Sequence, residues 1–222
     1  MTGERLPPFE RPNGALMRTD SLTYLLTLRK HDGQLVSLGT RAVSVSDGAL
    51  AGTPGWLIVE ARRGSAVETT DSVYLARADL TPQRWTATIG RAQLAASFSR
   101  DTMFAAVESY QGRASFAMAV PPGALLSAGM VERVIELLPL RVGYHAGASL
   151  LLIDGSAPRA LPAEILVERE ERVQSSGRDI ECLVVAIRAG AAEQRFWVSK
   201  DGSRVVRSEQ AVAEGVLSAV LQ

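Results

Sequence analysis

The stretch SLTYLLTLRKHDGQLVSLGTRAVSVS, residues 21–46, alternates apolar and polar side chains along most of its length. Its first apolar residues recur at every second position, which is the period of a β-strand with one buried face. They are Leu22, Tyr24, Leu26 and Leu28. The Asp-Gly pair at 32–33 is typical of a tight hairpin turn. The stretch therefore predicts one strand before this turn and a returning antiparallel strand at residues 35–46.

The same alternation continues through most of the chain, in short segments separated by Gly, Pro, Asp and Ser. Further strands are predicted at residues 56–62, 68–76, 84–89, 93–98, 103–110, 113–120, 149–153, 163–173, 180–188, 194–199, 204–210 and 215–221. The Asp-Gly pairs at 47–48 and 201–202 predict further turns. This series of short alternating segments predicts a mainly β protein, built on a large curved antiparallel sheet or an incomplete barrel.

One segment follows the period of an α-helix instead. Its apolar residues are spaced i, i+3, i+4 and i+7, so they form one stripe along a helix. They are Val131, Val134, Ile135 and Leu138. Ser127 is a predicted N-cap, and Pro139 ends the helix because proline lacks a backbone donor. We expect one helix over residues 127–138, and its opposite face takes the charged residues Glu132, Arg133 and Glu136.

The first twenty residues differ from the rest of the chain. Residues 1–20 lack strand periodicity and are predicted to be irregular, whereas residues 21–222 form a single β-rich domain. Within that domain a weak internal likeness relates WLIVEAR, residues 56–62, to CLVVAIR, residues 182–188. A repeated unit of this kind is a signature of duplication.

Duplication would make two halves, residues 21–122 and 140–222, joined by a helical segment at 123–139. Two unrelated hairpins that merely share high β-propensity explain the likeness equally well. Both alternatives stay open on the sequence alone.

Composition limits the partners and the location of the protein. With 24 basic and 24 acidic residues, the chain of 222 residues has no excess charge for binding nucleic acid or an anionic membrane. No apolar run approaches the roughly 20 residues that span a bilayer, so no transmembrane segment is predicted. The first residues also lack the apolar stretch of a secretory signal. A periplasmic or extracytoplasmic location is favoured if a signal peptide was removed, and a cytoplasmic location otherwise.

Cysteine and histidine are scarce. A single cysteine, Cys182, excludes an intrachain disulfide, and two histidines add too few ligands for an all-protein zinc site. We expect no metal and no cofactor. His31 lies in a predicted turn and His145 follows the predicted helix, where solvated or locally bonded histidines are ordinary. Cys182 lies on an apolar strand, where a thiol packs as a small hydrophobe; a Cys182–His145 nucleophile pair is a minor alternative.

Catalytic motifs are not found in the sequence. It has no Gly-x-Ser-x-Gly elbow, no Gly-x-Gly-x-x-Gly and no P-loop. The segment EREER, residues 168–172, brings carboxylates together, and paired carboxylates hydrolyse glycosides when they face each other across a cleft. On a strand where arginines alternate with them, cross-strand ion pairs are the commoner explanation.

Aromatic residues on the predicted strands are the predicted ligand-binding residues. They are Trp56, Tyr74, Trp85, Phe98, Phe196 and Trp197. Aromatic side chains on strands most often belong to a core. However, a helix of about a dozen residues, rising ~1.5 Å per residue, cannot cover ten or more strands. The sheet therefore closes on itself, gains a second layer, or retains an apolar groove that is a ligand site by default.

Two segments add a family resemblance to this pattern. Leu138-Pro-Leu140 ends the predicted helix, and FWVSKDGSR, residues 196–204, forms a late predicted hairpin. With the sheet wrapped around a helix, residues 22–210 resemble bacterial cell-envelope β-domains of the LolA/LolB lipoprotein-carrier superfamily and related domains of unknown function. The resemblance implies an unclosed barrel whose helical lid holds acyl chains or other apolar ligands. Carriers of this superfamily usually have more than one helix.

The sequence thus predicts a non-enzymatic, cell-envelope-type β protein that binds an apolar ligand, a lipid or an acyl chain, or a partner segment in its concave sheet. The alternative is a structural or assembly protein whose sheet edges engage another chain. A hydrolase is a minor alternative.

Overall fold

A computed structural model of the chain describes residues 6–9, 12–64, 68–126, 129–154, 157–200 and 204–222. Within these ranges it has fifteen strands, one short α-helix and one turn of 3-10 helix at Gly14–Leu16. None of the helices in the described ranges has the length and apolar character needed to cross a membrane.

Eight strands form the first half of the chain: β1 (Asp20–Lys30), β2 (Leu35–Leu50), β3 (Thr53–Arg63), β4 (Thr69–Ala76), β5 (Pro82–Ile89), β6 (Ala92–Ser99), β7 (Thr102–Ser109) and β8 (Gly112–Ala119). The middle of the chain forms β9 (Ala124–Leu126) and α1 (Met130–Ile135). The remaining strands are β10 (His145–Asp154), β11 (Ala157–Ser175), β12 (Arg178–Ala189), β13 (Ala192–Ser199), β14 (Val205–Val212) and β15 (Gly215–Leu221).

All fifteen strands belong to one sheet, in the order β8-β7-β6-β5-β4-β3-β2-β1-β15-β14-β13-β12-β11-β10-β9. Two antiparallel meanders are joined at the centre, where β1 pairs with β15 and Thr27 lies opposite Ser218. The short β9 pairs with β10 in the parallel sense. The sheet is curved and not closed, which confirms the predicted mainly β fold. The predicted duplication into two halves stays a prediction.

The helix is present where its apolar spacing predicts it, but it is shorter. It covers Met130–Ile135 rather than residues 127–138, and Gly129 at its N-cap makes no side-chain capping bond. After Ile135 the chain tightens into three-residue turns, since the Leu138 amide donates to the Ile135 carbonyl at 3.2 Å. The predicted cap Ser127 lies outside the described residues. The apolar segment Ala124–Leu126, predicted as part of the helical connection, is instead a strand.

The turn predicted at residues 47–48 is wrong. Gly48 lies opposite Gly55 within the β2–β3 ladder, and the chain reverses at Ala51 and Gly52, both with positive φ. An Asp-Gly pair permits a turn, but the ladder extends through it because residues on both sides continue to pair. The turn predicted at 201–202 lies outside the described residues.

The helix lies inside the curve of the sheet, and all six of its residues are buried. Its apolar side chains join one core cluster with the inward-facing residues of strands from both meanders. A smaller cluster lies on the outer face: Val173, Cys182, Val184, Trp197 and Val206. The Ser175 hydroxyl donates to the Leu221 carbonyl at 2.7 Å, although three strands separate β11 from β15 in the sheet. The β11–β12 hairpin therefore bends back over the outer face and covers this cluster.

A bulge in the β1–β2 ladder depends on Gly39, which has φ of +95°. A Cβ added there would lie 2.0 Å from the Arg63 carbonyl oxygen, whereas one added at Gly33, also at positive φ, would meet no atom within 4 Å. We expect Gly33→Ala to cost about 1–2 kcal/mol from backbone conformation alone. Gly39→Ala should cost several kcal/mol more, because backbone must move. Urea unfolding of both variants measures the difference, and equal costs would contradict the close approach of β2 and β3 at Gly39.

Candidate functional site

Charged side chains meet inside the curved sheet, beside the helix. Arg41 of β2 directs Nη1 to Glu132 Oε1 of α1 at 2.6 Å and Nη2 to Glu60 Oε2 of β3 at 2.9 Å. Arg62 Nε lies 2.9 Å from Glu60 Oε1. Arg41, Glu60 and Glu132 are all buried, so these pairs are shielded from water. They tie the first turn of the helix to two strands of the first meander.

The end of the helix is held in the same way by the other meander. Glu136 Oε1 accepts a hydrogen bond from the Val205 amide at 2.7 Å and lies 2.9 Å from Arg133 Nη2. Arg133 also donates to the Tyr24 hydroxyl at 3.3 Å, and that hydroxyl donates to the Val205 carbonyl at 3.0 Å. We call Arg41, Glu60, Arg62, Glu132, Arg133 and Glu136 together the inner ion network. It bridges β1, β2, β3, α1 and the start of β14.

The two buried carboxyls at the ends of the network differ in acidity. Burial raises the pKa of Glu60, but the Arg41 and Arg62 guanidiniums outweigh it and hold that pKa at about 2. Burial is also the main influence on Glu136, where Arg133 and the Val205 amide oppose it less effectively, so the pKa of Glu136 is raised to about 7. Glu60 is therefore charged at neutral pH, whereas Glu136 is close to half protonated.

The network leaves polar atoms without hydrogen bonds. Among the described residues, Arg41 Nε, Glu132 Oε2 and Arg133 Nε are buried and have no hydrogen-bond partner. A cavity of about 60 Å³ adjoins Arg41, Glu60 and Glu132 on the side of β13–β15. A cavity of that size holds a few water molecules, which need polar partners of this kind.

A larger opening lies where the helix ends, and we call it the helix-end cleft. Its volume is about 490 Å³. Its apolar lining comes from the 3-10 turn, β2 and the residues after α1: Leu16, Met17, Val45, Leu137 and Leu138. Its charged lining is Arg18, Asp20, Arg133, Glu136 and Arg204. The cleft thus places one end of the inner ion network next to an apolar wall.

A second cleft, of about 540 Å³, lies beside the connection from β8 to β9. Its lining includes Phe98, Val120 and the pair Pro121 and Pro122. Phe98 is one of the six predicted ligand-binding residues. This cleft has no equivalent of the inner ion network, because the charged groups of its lining are Arg100 and Asp101.

The six predicted aromatic residues do not share one face of the sheet. The core cluster on the inner face includes Trp56, Trp85 and Phe196. Phe98 is partly buried and packs against this cluster. Trp197 follows Phe196 on the same strand and therefore faces outward, into the smaller cluster. Tyr74 lies between the core residues Val73 and Leu75 and faces outward for the same reason. Contact between a ligand and any of the six stays a prediction.

The polar groups of these aromatic residues already have partners within the protein in several cases. Trp56 Nε1 donates to the Gly14 carbonyl at 2.9 Å, and Trp85 Nε1 donates to Asp71 at 3.2 Å. The Tyr74 hydroxyl donates to the Thr53 carbonyl at 3.0 Å. Such bonds are what buried indole and phenol groups require, and they fit a structural role in holding the strands together.

The structure gives Cys182 and the two histidines separate surroundings. Cys182 lies in the outer cluster, with Sγ 3.5 Å from the Ile180 carbonyl. His145 Nε2 lies 3.6 Å from Glu164, and His31 Nε2 lies 3.0 Å from the Ala213 carbonyl. No group of three or more His, Cys, Asp or Glu side chains in the described ranges is placed to hold a metal ion.

The carboxylates of residues 168–172 take part in ion pairs along and across strands. Glu168 Oε1 lies 2.6 Å from Arg188 Nη2 of β12, and Glu168 Oε2 lies 3.2 Å from Arg195 Nε of β13. Glu170 Oε1 lies 2.9 Å from Lys200 Nζ. These contacts match the structural explanation of the segment rather than a pair of acids facing across a cleft.

The sequence analysis missed the inner ion network. It placed Glu132, Arg133 and Glu136 on a face opposite the apolar stripe, but all three are buried. A signal was present in the strands: Arg41 has the same parity as the inward-facing Val43 and Val45, and Glu60 the same parity as Trp56 and Ile58. A charge at an inward position of a strand requires a buried partner, and the charged residues of the only predicted helix were the available ones.

Comparison with known proteins concerns the fold. No protein-family model matches the sequence, and no curated protein matches it. The structure is similar to that of a β-barrel-like protein of Brucella abortus with a domain of unknown function, DUF1849. The TM-score is 0.56 at 10% identity, and the alignment covers 98% of this chain and 97% of that chain. This likeness supports the β-barrel-like fold alone.

A second solved structure is the hypothetical lipoprotein YmcC of Escherichia coli. It aligns with a TM-score of 0.36 at 13% identity, over 100% of this chain and 90% of that one. A score this low supports no argument about fold or function. Both structures are bacterial, and neither is named as a LolA or LolB carrier, so that resemblance stays a prediction.

Removal of Arg41 should expose the cost of the buried charges. We expect Arg41→Met to destabilise the protein by about 3–5 kcal/mol, because Glu60 and Glu132 lose their shared counter-charge. The triple variant that also carries Glu60→Gln and Glu132→Gln should recover part of the loss. Arg172→Ala is the control: its pair with Glu181 spans 3.1 Å, both side chains are 64% exposed, and removal should cost about 0–1 kcal/mol. Urea denaturation measures the loss of unfolding free energy in each variant. Similar losses for Arg41→Met and Arg172→Ala would contradict this prediction.

Glu136 should make stability fall as pH rises through a defined window. Its pKa is about 7 in the folded protein against an ordinary value of 4.5, so the unfolded chain loses this proton first. Glu136 therefore lowers stability progressively between pH 4.5 and 7, by on the order of 1–3 kcal/mol, and by a constant amount above.

The measurement is the difference in unfolding free energy between wild type and Glu136→Gln across that window. The unfolding free energy of wild type, relative to that of Glu136→Gln, should decrease as pH rises. The exposed-site variant Glu214→Gln controls for removal of a charge in general. Parallel pH curves for wild type and Glu136→Gln would show that the Glu136 carboxyl does not titrate as described.

Proposed function

We propose that this protein is a non-enzymatic, cell-envelope-type β protein that binds an apolar ligand, a lipid or a single acyl chain, in the helix-end cleft. The observation that carries the proposal is the composition of that cleft. An opening of about 490 Å³ combines an apolar wall with a few converging charged groups, one of them a carboxyl with a strongly raised pKa. Ligand sites generally have this combination of volume and lining.

The apolar lining of the cleft also supports ligand binding. Leu16 is 58% exposed, whereas Met17, Val45 and Leu138 belong to the buried core cluster. An apolar chain bound in the cleft would bury the exposed surface of Leu16 beside the core. Burial of apolar surface is the main source of affinity for such a ligand.

A non-enzymatic role fits the charged groups of the cleft. Glu136 titrates near neutral pH, but its partners are the Arg133 guanidinium and the Val205 amide. Both contacts tie the carboxyl group to the protein itself, to a side chain of its own helix and to the backbone of β14. We therefore assign Glu136 to the packing of the helix and to the charge of the cleft rather than to proton transfer with a substrate.

A second candidate function is assembly with another chain through the edge of the sheet. β8 is an end strand of the sheet, and six of its eight residues are exposed. Its only charged residue is Arg113, and Phe104 on the neighbouring strand is 52% exposed. Although β8 also contacts β11, most of its side chains are exposed, and an exposed edge with few charges is a surface to which a further strand can add.

A periplasmic or extracytoplasmic location remains part of the primary proposal.

Binding of decanol, an uncharged molecule with one short alkyl chain, tests the proposal. We expect calorimetric titration to show saturable binding that Leu16→Asp weakens by about tenfold or more, because a charge at the rim opposes burial of the chain. Leu35→Asp is the matched control. Leu35 is 70% exposed and lies opposite Arg29, at the far end of the β1–β2 hairpin from the cleft.

Equal weakening by the two substitutions would place the binding surface elsewhere and contradict the proposal. Lack of binding to wild type would also contradict it. In that case, concentration-dependent association in analytical ultracentrifugation would favour the second candidate function.

A further inference from the structure

We infer that the helix-end cleft selects ligands with an anionic head, a carboxylate or a phosphate monoester, on their apolar chain. The inference rests on the proposed function, because it assigns the chemistry of the ligand's polar end within the same cleft.

Three guanidiniums line the cleft against two carboxylates. Arg18 is exposed and forms no ion pair within the described residues. Arg204 Nη2 lies 3.7 Å from Asp20 Oδ2, which is beyond hydrogen-bond distance, and its side chain is 52% exposed. Both arginines therefore have donors available to a ligand at the mouth of the cleft.

The third guanidinium lies deeper. The Arg133 side chain is only 5% exposed, and its Nε has no hydrogen-bond partner in the described part of the chain. Its Nη2 already contacts Glu136 and the Tyr24 hydroxyl, so Arg133 adds positive charge to the cleft rather than a free donor at its mouth. Because arginine holds a planar fork of donors, it suits the oxygens of carboxylates and phosphates.

The two carboxylates of the lining do not cancel this positive charge. With three guanidiniums against two carboxylates, one positive charge is in excess. Asp20 Oδ1 accepts a hydrogen bond from the Ser21 amide at 2.8 Å, and Asp20 Oδ2 lies 3.7 Å from Arg204 Nη2. Glu136 accepts from the Val205 amide and from Arg133 through the same oxygen. Its raised pKa leaves Glu136 partly uncharged at neutral pH, which increases the net positive charge of the cleft.

The apolar lining of the cleft indicates that the bound anion is the head group of a ligand with an alkyl chain rather than a free ion. Met17, Val45 and Leu138 of the lining belong to the buried core cluster, whereas Arg18 and Arg204 are exposed. A ligand that satisfies both surfaces carries its charge at one end and an alkyl chain at the other. Inorganic phosphate or acetate satisfies only the arginines and should bind weakly.

Titration calorimetry with decanoate, decyl phosphate, decanol, acetate and inorganic phosphate tests the inference on the full chain. We expect decanoate and decyl phosphate to bind at least about tenfold more tightly than decanol, and the two ions without a chain to bind more weakly than either. The double variant Arg18→Ala/Arg204→Ala should bring the affinities for decanoate and decyl phosphate close to its affinity for decanol. Arg172→Ala, exposed and on the β11–β12 hairpin, is the control and should change nothing.

Four results would overturn the inference. Equal affinity of wild type for decanoate and decanol would reject the anionic head while leaving the proposed function intact. An unchanged preference in Arg18→Ala/Arg204→Ala would show that these arginines do not provide it. Equally tight binding of phosphate with and without the decyl chain would indicate a site for the free anion. Absence of binding by every ligand with a chain would reject both the inference and the proposed function.

Discussion

The Arg41 guanidinium bridges two buried carboxylates, Glu60 on β3 and Glu132 on α1, and the rest of the structure is arranged around this contact. Each charge loses its hydration when the protein folds, at a cost of several kcal/mol per ion by rough estimate. That cost is offset only when the three groups meet, so the network favours one position of the helix over others that would bury the same apolar stripe. Its main contribution is to the specificity of the packing.

The second end of the network couples the helix to the opposite meander. Tyr24 and Glu136 together bind the carbonyl and the amide of Val205, at the start of β14. The helix therefore adds a connection between the two meanders to the one that the β1–β15 ladder provides. Because the helix is short and fixed, it fills the middle of the curved sheet and leaves the helix-end cleft beside its last turn. The candidate site is thus a consequence of where the ion network places the helix.

Period-two alternation was sufficient to predict every strand except β9, because one face of nearly every strand is buried in the core. The helix was predictable from the spacing of Val131, Val134 and Ile135, but its burial on all sides was not. An amphipathic pattern implies a solvent-facing polar side, whereas the Arg41–Glu132 ion pair shows that the polar side of this helix faces β2. The helix-end cleft was beyond prediction for a further reason. It joins residues near position 16, residue 45, residues 133–138 and residue 204, which are brought together only by tertiary structure.

Native-state amide hydrogen exchange tests most directly whether the inner ion network fixes the helix in the sheet. The informative amides are those of Glu136, which donates to the Glu132 carbonyl at 3.1 Å, and of Val205, which donates to the Glu136 carboxyl. If the network holds the helix, both should exchange only through global unfolding, as slowly as the amide of the core residue Ile58. Exchange of Glu136 and Val205 orders of magnitude faster than Ile58 would show that the helix detaches while the sheet stays folded, and would contradict the account.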